Sequence, residues 1–218
     1  MSQELPLVVA SASPRRQELV KRLGLTVIPA PLDVDETPLP GEPPLSVPLR
    51  LAQAKAVAAS AQHPGLPVLA GDTAVLFDGE LLGKPRDACD ARRMLTSLRG
   101  RTHVVATGVT VRFQERTASA LEVARVTFTP FPLALLDWYL AGCEWQDKAG
   151  AYALQGQGAV FVERVEGNVQ AVVGLPLSPL PRLFAQVGLG LKPSGSRLLL
   201  VPRSEWQRVR APELNTGI

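Results

Sequence analysis

The chain of 218 residues is long enough to bury a substantial core, as one large domain or as two small lobes sharing a cleft. Its 46% hydrophobic and 20% charged residues exclude a fibre or a disordered chain, while 20 prolines and 18 glycines point to a mixed α/β protein with many loops. A formal net charge of +3 gives no broad cationic face, so at most a weak preference for anions follows.

Residues 5–10, LPLVVA, are an apolar run that predicts a buried strand. The chain then turns through SASPRR into a helix. Ser13 fits its N-cap, Pro14 the first helical position, where no N–H is needed, and Gly24 the position past its end; Leu19, Val20 and Leu23 supply an apolar stripe. Residues 29–44 hold too many prolines for regular structure and carry Asp33, Asp35, Glu36 and Glu42 on a loop free to reach a cleft. A second, alanine-rich helix follows Ser46 and runs through Leu51, Ala52, Lys55, Ala56 and Ala59 until His63-Pro64-Gly65 ends it. In VLAGDTAVLFDGELLG, residues 68–70 and 74–77 predict one strand or two halves of one, with Asp72 inside it or at its break. Asp78-Gly79 is a hairpin signal before residues 80–82.

Ala88, Ala91, Met94, Leu95 and Leu98 recur at helical spacing over residues 87–98, and Gly100 stops that helix. Alternating segments 104–113 and 118–128 flank a polar turn at 114–116 and predict a long antiparallel hairpin. Residues 132–141 predict a short helix, 158–165 and 169–173 flank another turn, and Ser178-Pro179 opens a last helix. The order is not a strict βα repeat. It predicts an α/β fold with a mixed twisted sheet, flanking helices on both sides and two lobes around a cleft, one made by the hairpins. Residues 192–218 read as a C-terminal extension with one strand at 198–201.

Cys89 and Cys143 lack CxxC or Cys/His spacing, which argues against zinc and for reduced, buried thiols. His63 and His103 have no nucleophile in their local sequence and read as structural or surface residues. The start carries no charged segment followed by a long apolar one, and no apolar run approaches the roughly 18 residues of a membrane span, so the expected setting is cytoplasmic.

Small residues entering a helix leave backbone N–H groups unpaired. With two hydroxyls and two guanidinium groups beside them, SASPRR reads either as a polyphosphate cradle or as an ordinary helix cap with solvated arginines. Asp35-Glu36 on the loop and Asp72 beside Thr73 are candidates to hold Mg²⁺ together with phosphate oxygens, and a carboxylate that also takes a proton from water would complete a hydrolase; alone, each is an ordinary loop or strand acid. Lys55 and Lys84 could reach the same anions, or snorkel at the surface. The GKP around Lys84 is no Walker motif, because the GxxxxG loop and the following Ser or Thr are missing. In AGAYALQGQG, Gln155 offers an amide that both donates and accepts, as a base edge requires; a tight turn into a strand is the plain alternative.

Taken in order, SASPRR, DVDET, LAQAK, GDTAV, GKP, GRTHVVATGV, DKAGAYALQG and VVGLPLSPL resemble the Maf family of nucleoside triphosphate pyrophosphatases over roughly residues 7–183. The resemblance implies a fold related to inosine triphosphate pyrophosphatases, a domain spanning 1–191, a divalent metal (Mg²⁺ or Mn²⁺), and a cytoplasmic protein that is often a homodimer. It implies Asp72 as the proton acceptor that activates water, and Arg15, Thr73 and Gln155 as positions of substrate choice. Ser13, Arg16, Glu36, Lys55 and Lys84 match other cleft positions, with Glu36 and Asp72 as metal carboxylates. Arg15, Thr73 and Gln155 together resemble the branch acting on dTTP and UTP, where a glutamine amide can answer the acceptor–donor edge of thymine or uracil. Two departures stand out: AGDT replaces the common GADT, and Ala171 replaces a polar residue, a change expected to alter substrate contacts. A nucleotide-binding regulator of cell division without turnover is the main rival reading. Nucleic-acid binding through Arg197, Arg203, Arg208 and Arg210 is a thin third one, and no stable nucleic-acid partner is expected.

Overall fold

The computed structural model describes residues 4–206. Strand β1 (Leu7–Ala10), buried along its whole length, lies parallel to both β2 (Val27–Pro29) and β3 (Val68–Phe77). Beyond β3 the sheet turns antiparallel, through β5 (Thr102–Phe113), β6 (Arg116–Phe128) and β7 (Val162–Gly167). The short β4 (Glu80–Leu82) folds back on the end of β3. The resulting order is β2-β1-β3-β5-β6-β7, with β4 beside β3.

Helices cover both faces. They are α1 (Pro14–Arg22), α2 (Val47–Gln62), α3 (Ala88–Leu98), α4 (Leu133–Ala141), α5 (Val169–Val173) and α6 (Leu180–Gln186), while the short α7 (Arg203–Trp206) packs on a second, two-stranded sheet. Side chains alternate along a strand, and β3 uses both faces. Val68 and Ala70 pack with Ala56 and Ala59 of α2, while Leu69 joins Val20 of α1 and Leu183 and Phe184 of α6. Farther along the same face as Leu69, Val75 packs with Leu95 of α3 and Tyr139 of α4 in an aromatic-rich cluster. Residues 71–73 therefore form the seam between two apolar cores.

That seam is also an open edge. Pairing of β1 with β3 ends at Ala10 opposite Ala70, and pairing of β4 begins at Val75 opposite Leu82. Between them β3 pairs, among the described residues, with β5 alone, Asp72 opposite Gly108 and Thr73 opposite Thr107. The chain leaves β1 at this gap to enter α1, as at the crevice beyond a strand's carboxyl end in open α/β sheets.

Several expectations are corrected. Residues 68–77 are one continuous strand with Asp72 inside it, the first of the two alternatives expected there, whereas β2 lies in a stretch with no predicted element. Residues 169–173, expected beside a turn at strand spacing, are the helix α5: Asn168 Oδ1 accepts the Gln170 N–H at 3.0 Å, and Gly174 closes the helix at φ 108°. The valines there suggested a strand, but the cap and the left-handed stop outweigh β propensity over five residues. Residues 157–161 form a 3-10 turn, so β7 begins only at Val162. Cys89 and Cys143 are exposed rather than buried, Cys89 on the outer side of α3 and Cys143 in the turn after α4. His103 is buried and structural; its Nε2 meets the Tyr152 hydroxyl at 2.8 Å.

A second sheet, β8 (Leu189–Ser194) with β9 (Arg197–Pro202), straddles position 192. Leu189, Leu200 and Val201 are buried, and β9 exchanges backbone bonds with the body: Leu5 N–H to Leu200 O at 2.8 Å, and Leu198 N–H to Leu23 O at 2.9 Å. Arg197 donates to Gly24 O and approaches Glu4, so it is not a free cation. Arg208 and Arg210 lie outside the described residues. No helix among the described residues is long and apolar enough to cross a membrane.

Candidate active site

The first residues past β1 build one wall of the seam. Ser13 has extended N-cap geometry, but its hydroxyl caps nothing. Ser11 is the hydroxyl engaged, accepting the Ser13 N–H at 3.2 Å and Arg16 Nη1–H at 3.0 Å. Arg16 also donates from Nε to Gly174 O at 2.7 Å and from Nη2 to Thr73 Oγ1 at 2.8 Å. Three of its five N–H groups are thus fixed on neutral acceptors, which leaves two for an anion.

Behind Thr73 the hydroxyls form a chain. Thr107 Oγ1 donates to Ala171 O at 2.7 Å, and the two threonine oxygens lie 2.8 Å apart. Thr107 has one hydrogen and gives it to the carbonyl, so Thr73 donates to Thr107 and accepts from Arg16. Ala171 itself is fully buried and does not line the cavity; it reaches the site through this carbonyl, which holds the Thr107 hydroxyl behind Thr73.

On the opposite face of β3, Lys55 from α2 joins two carboxylates. Its Nζ lies 2.6 Å from Asp72 Oδ1 and 2.8 Å from Glu36 Oε1; Lys55 and Asp72 are nearly buried, while Glu36 is 53% exposed on its proline-rich loop. Their environments push the two acids apart. Burial raises the Asp72 carboxyl above the usual range despite the opposing charges of Lys55 and Arg16. Burial also acts upward on Glu36, but there the Lys55 hydrogen bond and the charges of Lys55, Lys84 and Arg16 prevail and hold it below the usual range. Two acids with divergent affinities for a proton are the usual mark of an acid–base site.

These groups line one cavity of about 1130 Å³. Ser13, Arg15 and Arg16 border it from α1, Glu36 and Lys55 from the loop and α2, Asp72 and Thr73 from β3, and Lys84 from beyond β4. Gln155 is not brought there. It is exposed and lines a smaller neighbouring pocket, which Arg15 borders as well. Thr107, Gly174 and Lys148 also belong to the site and had no individual role in the sequence reading. The first two buttress Arg16, and Lys148 borders the cavity with its ammonium pKa lowered by burial and by the charge of Arg15. All three lie within motifs quoted above; what singles them out is reach across the fold.

A family model described as Maf-like protein matches residues 6–187. The chain belongs to the Maf family. Among relatives of this Maf protein, one from Anaeromyxobacter dehalogenans is 52% identical over 85% of this chain and 95% of its own length. One from Myxococcus xanthus is 46% identical over 85% and 94%. A third, from Pyrococcus furiosus, is 37% identical over 85% and 97%, and all three are named dTTP/UTP pyrophosphatase. Among solved structures, a HAM1 protein from Coxiella burnetii aligns with TM-score 0.44 and 19% identity, covering 59% of this chain and 75% of that one.

Proposed function

We propose that this protein hydrolyses nucleoside triphosphates, dTTP and UTP foremost, to the monophosphate and pyrophosphate, with Asp72 accepting the proton of the attacking water. The observation that carries the reading is the buried Asp72 carboxyl, raised in pKa and held by Lys55 beside Glu36 in a cavity rimmed by cations. The relatives' names support the choice of nucleotide. Water attacks phosphorus, the α–β anhydride bond breaks, the proton passes to Asp72 and pyrophosphate leaves. Lys55 keeps Asp72 ionised until that transfer. Arg16, with two N–H groups free, and Lys84 offset the triphosphate charge, so the residues act mainly by positioning and electrostatics.

Glu36 and Asp72 converge on a single ammonium, which two carboxylates would equally do for a divalent cation. The described residues contain no cluster of three or more His, Cys, Asp or Glu groups. A donor set this small fits Mg²⁺ or Mn²⁺ arriving with the phosphates and keeping phosphate and water ligands. Such an ion would supply charge neutralisation. A cytoplasmic setting and a homodimer belong to the same reading.

Asp72→Asn retains shape but cannot take the proton. Pyrophosphate release should fall at least about 100-fold, the usual scale for a general base, with dTTP affinity measured by calorimetry little changed. Near-wild-type release by this variant would overturn the assignment. Wild-type protein that binds dTTP and UTP without releasing pyrophosphate would instead favour the regulatory reading.

A further inference from the structure

Glu144 lies just after α4, where Gly142 ends the helix and Cys143 takes a left-handed φ of 56°. This turn sends the carboxylate back across the QGQG segment, residues 155–158. Gln157 N–H donates to Oε2 at 2.8 Å and Gly158 N–H to Oε1 at 3.0 Å, one amide to each oxygen, the kind of concave anion seat that successive backbone amides form. The fit leaves no room for a side chain at position 156. A Cβ on Gly156 would stand 2.3 Å from Oε2, and one on Gly142 would stand 2.7 Å from Gln157 Oε1.

The charge of the same carboxylate is felt at Arg15. Burial weakens that guanidinium's hold on its proton, and the charge of Glu144 is the leading opposing influence. Arg15 and Gln155 line the smaller pocket together, and Arg15 continues into the main cavity. One carboxylate thus fixes the turn that carries Gln155 and acts by its charge on Arg15, which lines the same pocket as Gln155.

We propose that Glu144 is a positioning residue for base selection, setting Gln155 and Arg15 as the two sides of the seat that reads the nucleobase. This rests on the nucleotide hydrolysis proposed above. A loop cap of purely structural use would have the same bonds but no influence on which nucleotide is preferred.

Glu144→Gln keeps the size but replaces one acceptor with an amide that faces a backbone N–H, and it removes the charge near Arg15. The expected result is a loss of about tenfold in the kcat/KM ratio of dTTP over CTP, with kcat for dTTP held within about threefold. Gly156→Ala disturbs the same contact from the loop side and should shift the same ratio. The double variant should be less than the product of the two, because both break one contact. A uniform loss on all nucleotides, or an unchanged ratio in a folded Glu144→Gln, would overturn the proposal. If wild-type protein hydrolyses none of the nucleotides, the hydrolysis reading fails by itself, and the ratio of dTTP to CTP dissociation constants in the same variants then decides the role of Glu144.

Discussion

A hydroxyl has one hydrogen to give, and at Thr73 it is already committed to Thr107, which passes its own to Ala171 O. Thr73 can therefore meet a ligand only as an acceptor, so it favours a donor such as a ribose hydroxyl or a ring N–H over a phosphate oxygen. A second polar residue with a definite consequence is the buried His103. Its ring lies edge-on to Phe128 and Tyr152, its Nδ1 has no hydrogen-bond partner among the described residues, and burial lowers its pKa from 6.5 to about 4. The unfolded chain thus binds the proton more readily between those values. The neutral ring's contribution is complete above about pH 6.5 and is lost as pH falls toward 4, by about 3 kcal/mol at one pKa unit per 1.36 kcal/mol. Urea unfolding at pH 7, 5.5 and 4 should show a smaller acid loss in His103→Phe than in wild type; parallel curves would exclude this origin.

At the scale of elements, the contact that matters most is α2 against the sheet. Gly108 stands directly opposite Asp72 in β5, and a Cβ there would lie 2.4 Å from Pro48 O and 2.5 Å from Leu49 Cα. These are backbone atoms and cannot swing aside, so glycine fixes how closely α2 approaches. Lys55 sits two turns along the same helix and reaches Asp72 only at that distance. Gly108→Ala should push α2 outward, cost about 1–3 kcal/mol in chemical denaturation, and lower kcat/KM for dTTP through the lost Lys55 contact. Unchanged activity in a destabilised variant would separate the two effects. Most of this architecture was legible in the sequence, because the long hairpin and α3 carry sustained periodicity and the alanine-rich α2 is bounded by Ser46 and His63-Pro64-Gly65. Lys55, Asp72 and the pair Asp35-Glu36 were nameable for their chemistry, and Glu36 alone only through the family resemblance. Gly108 was not, because its meaning lies in what stands across the sheet, and α5 was hidden by valines whose helical state depends on Asn168 and Gly174.

For the whole molecule, the boundary at 192 cuts through a structural unit. The break would fall inside β8, and a chain ending at Leu191 would lose β9 with the buried Leu200 and Val201 and the backbone bonds to Leu5 and Leu23. Burying an aliphatic side chain of this size contributes about 1.5–3 kcal/mol, against a total stability of about 5–15 kcal/mol for a domain. Removal should therefore cost at least about 3 kcal/mol and reach the site as well. Leu200 shares its cluster with Leu175, which adjoins the Gly174 carbonyl that holds Arg16. The milder Leu200→Ala should lower stability by about 2–5 kcal/mol and raise KM for dTTP more than it lowers kcat, because it loosens a phosphate-facing cation and leaves Asp72 and Lys55 on their own core. Equal stability and kinetics in the truncated and full chains would establish 192–218 as a dispensable appendage. The bonds across β9 argue against that outcome.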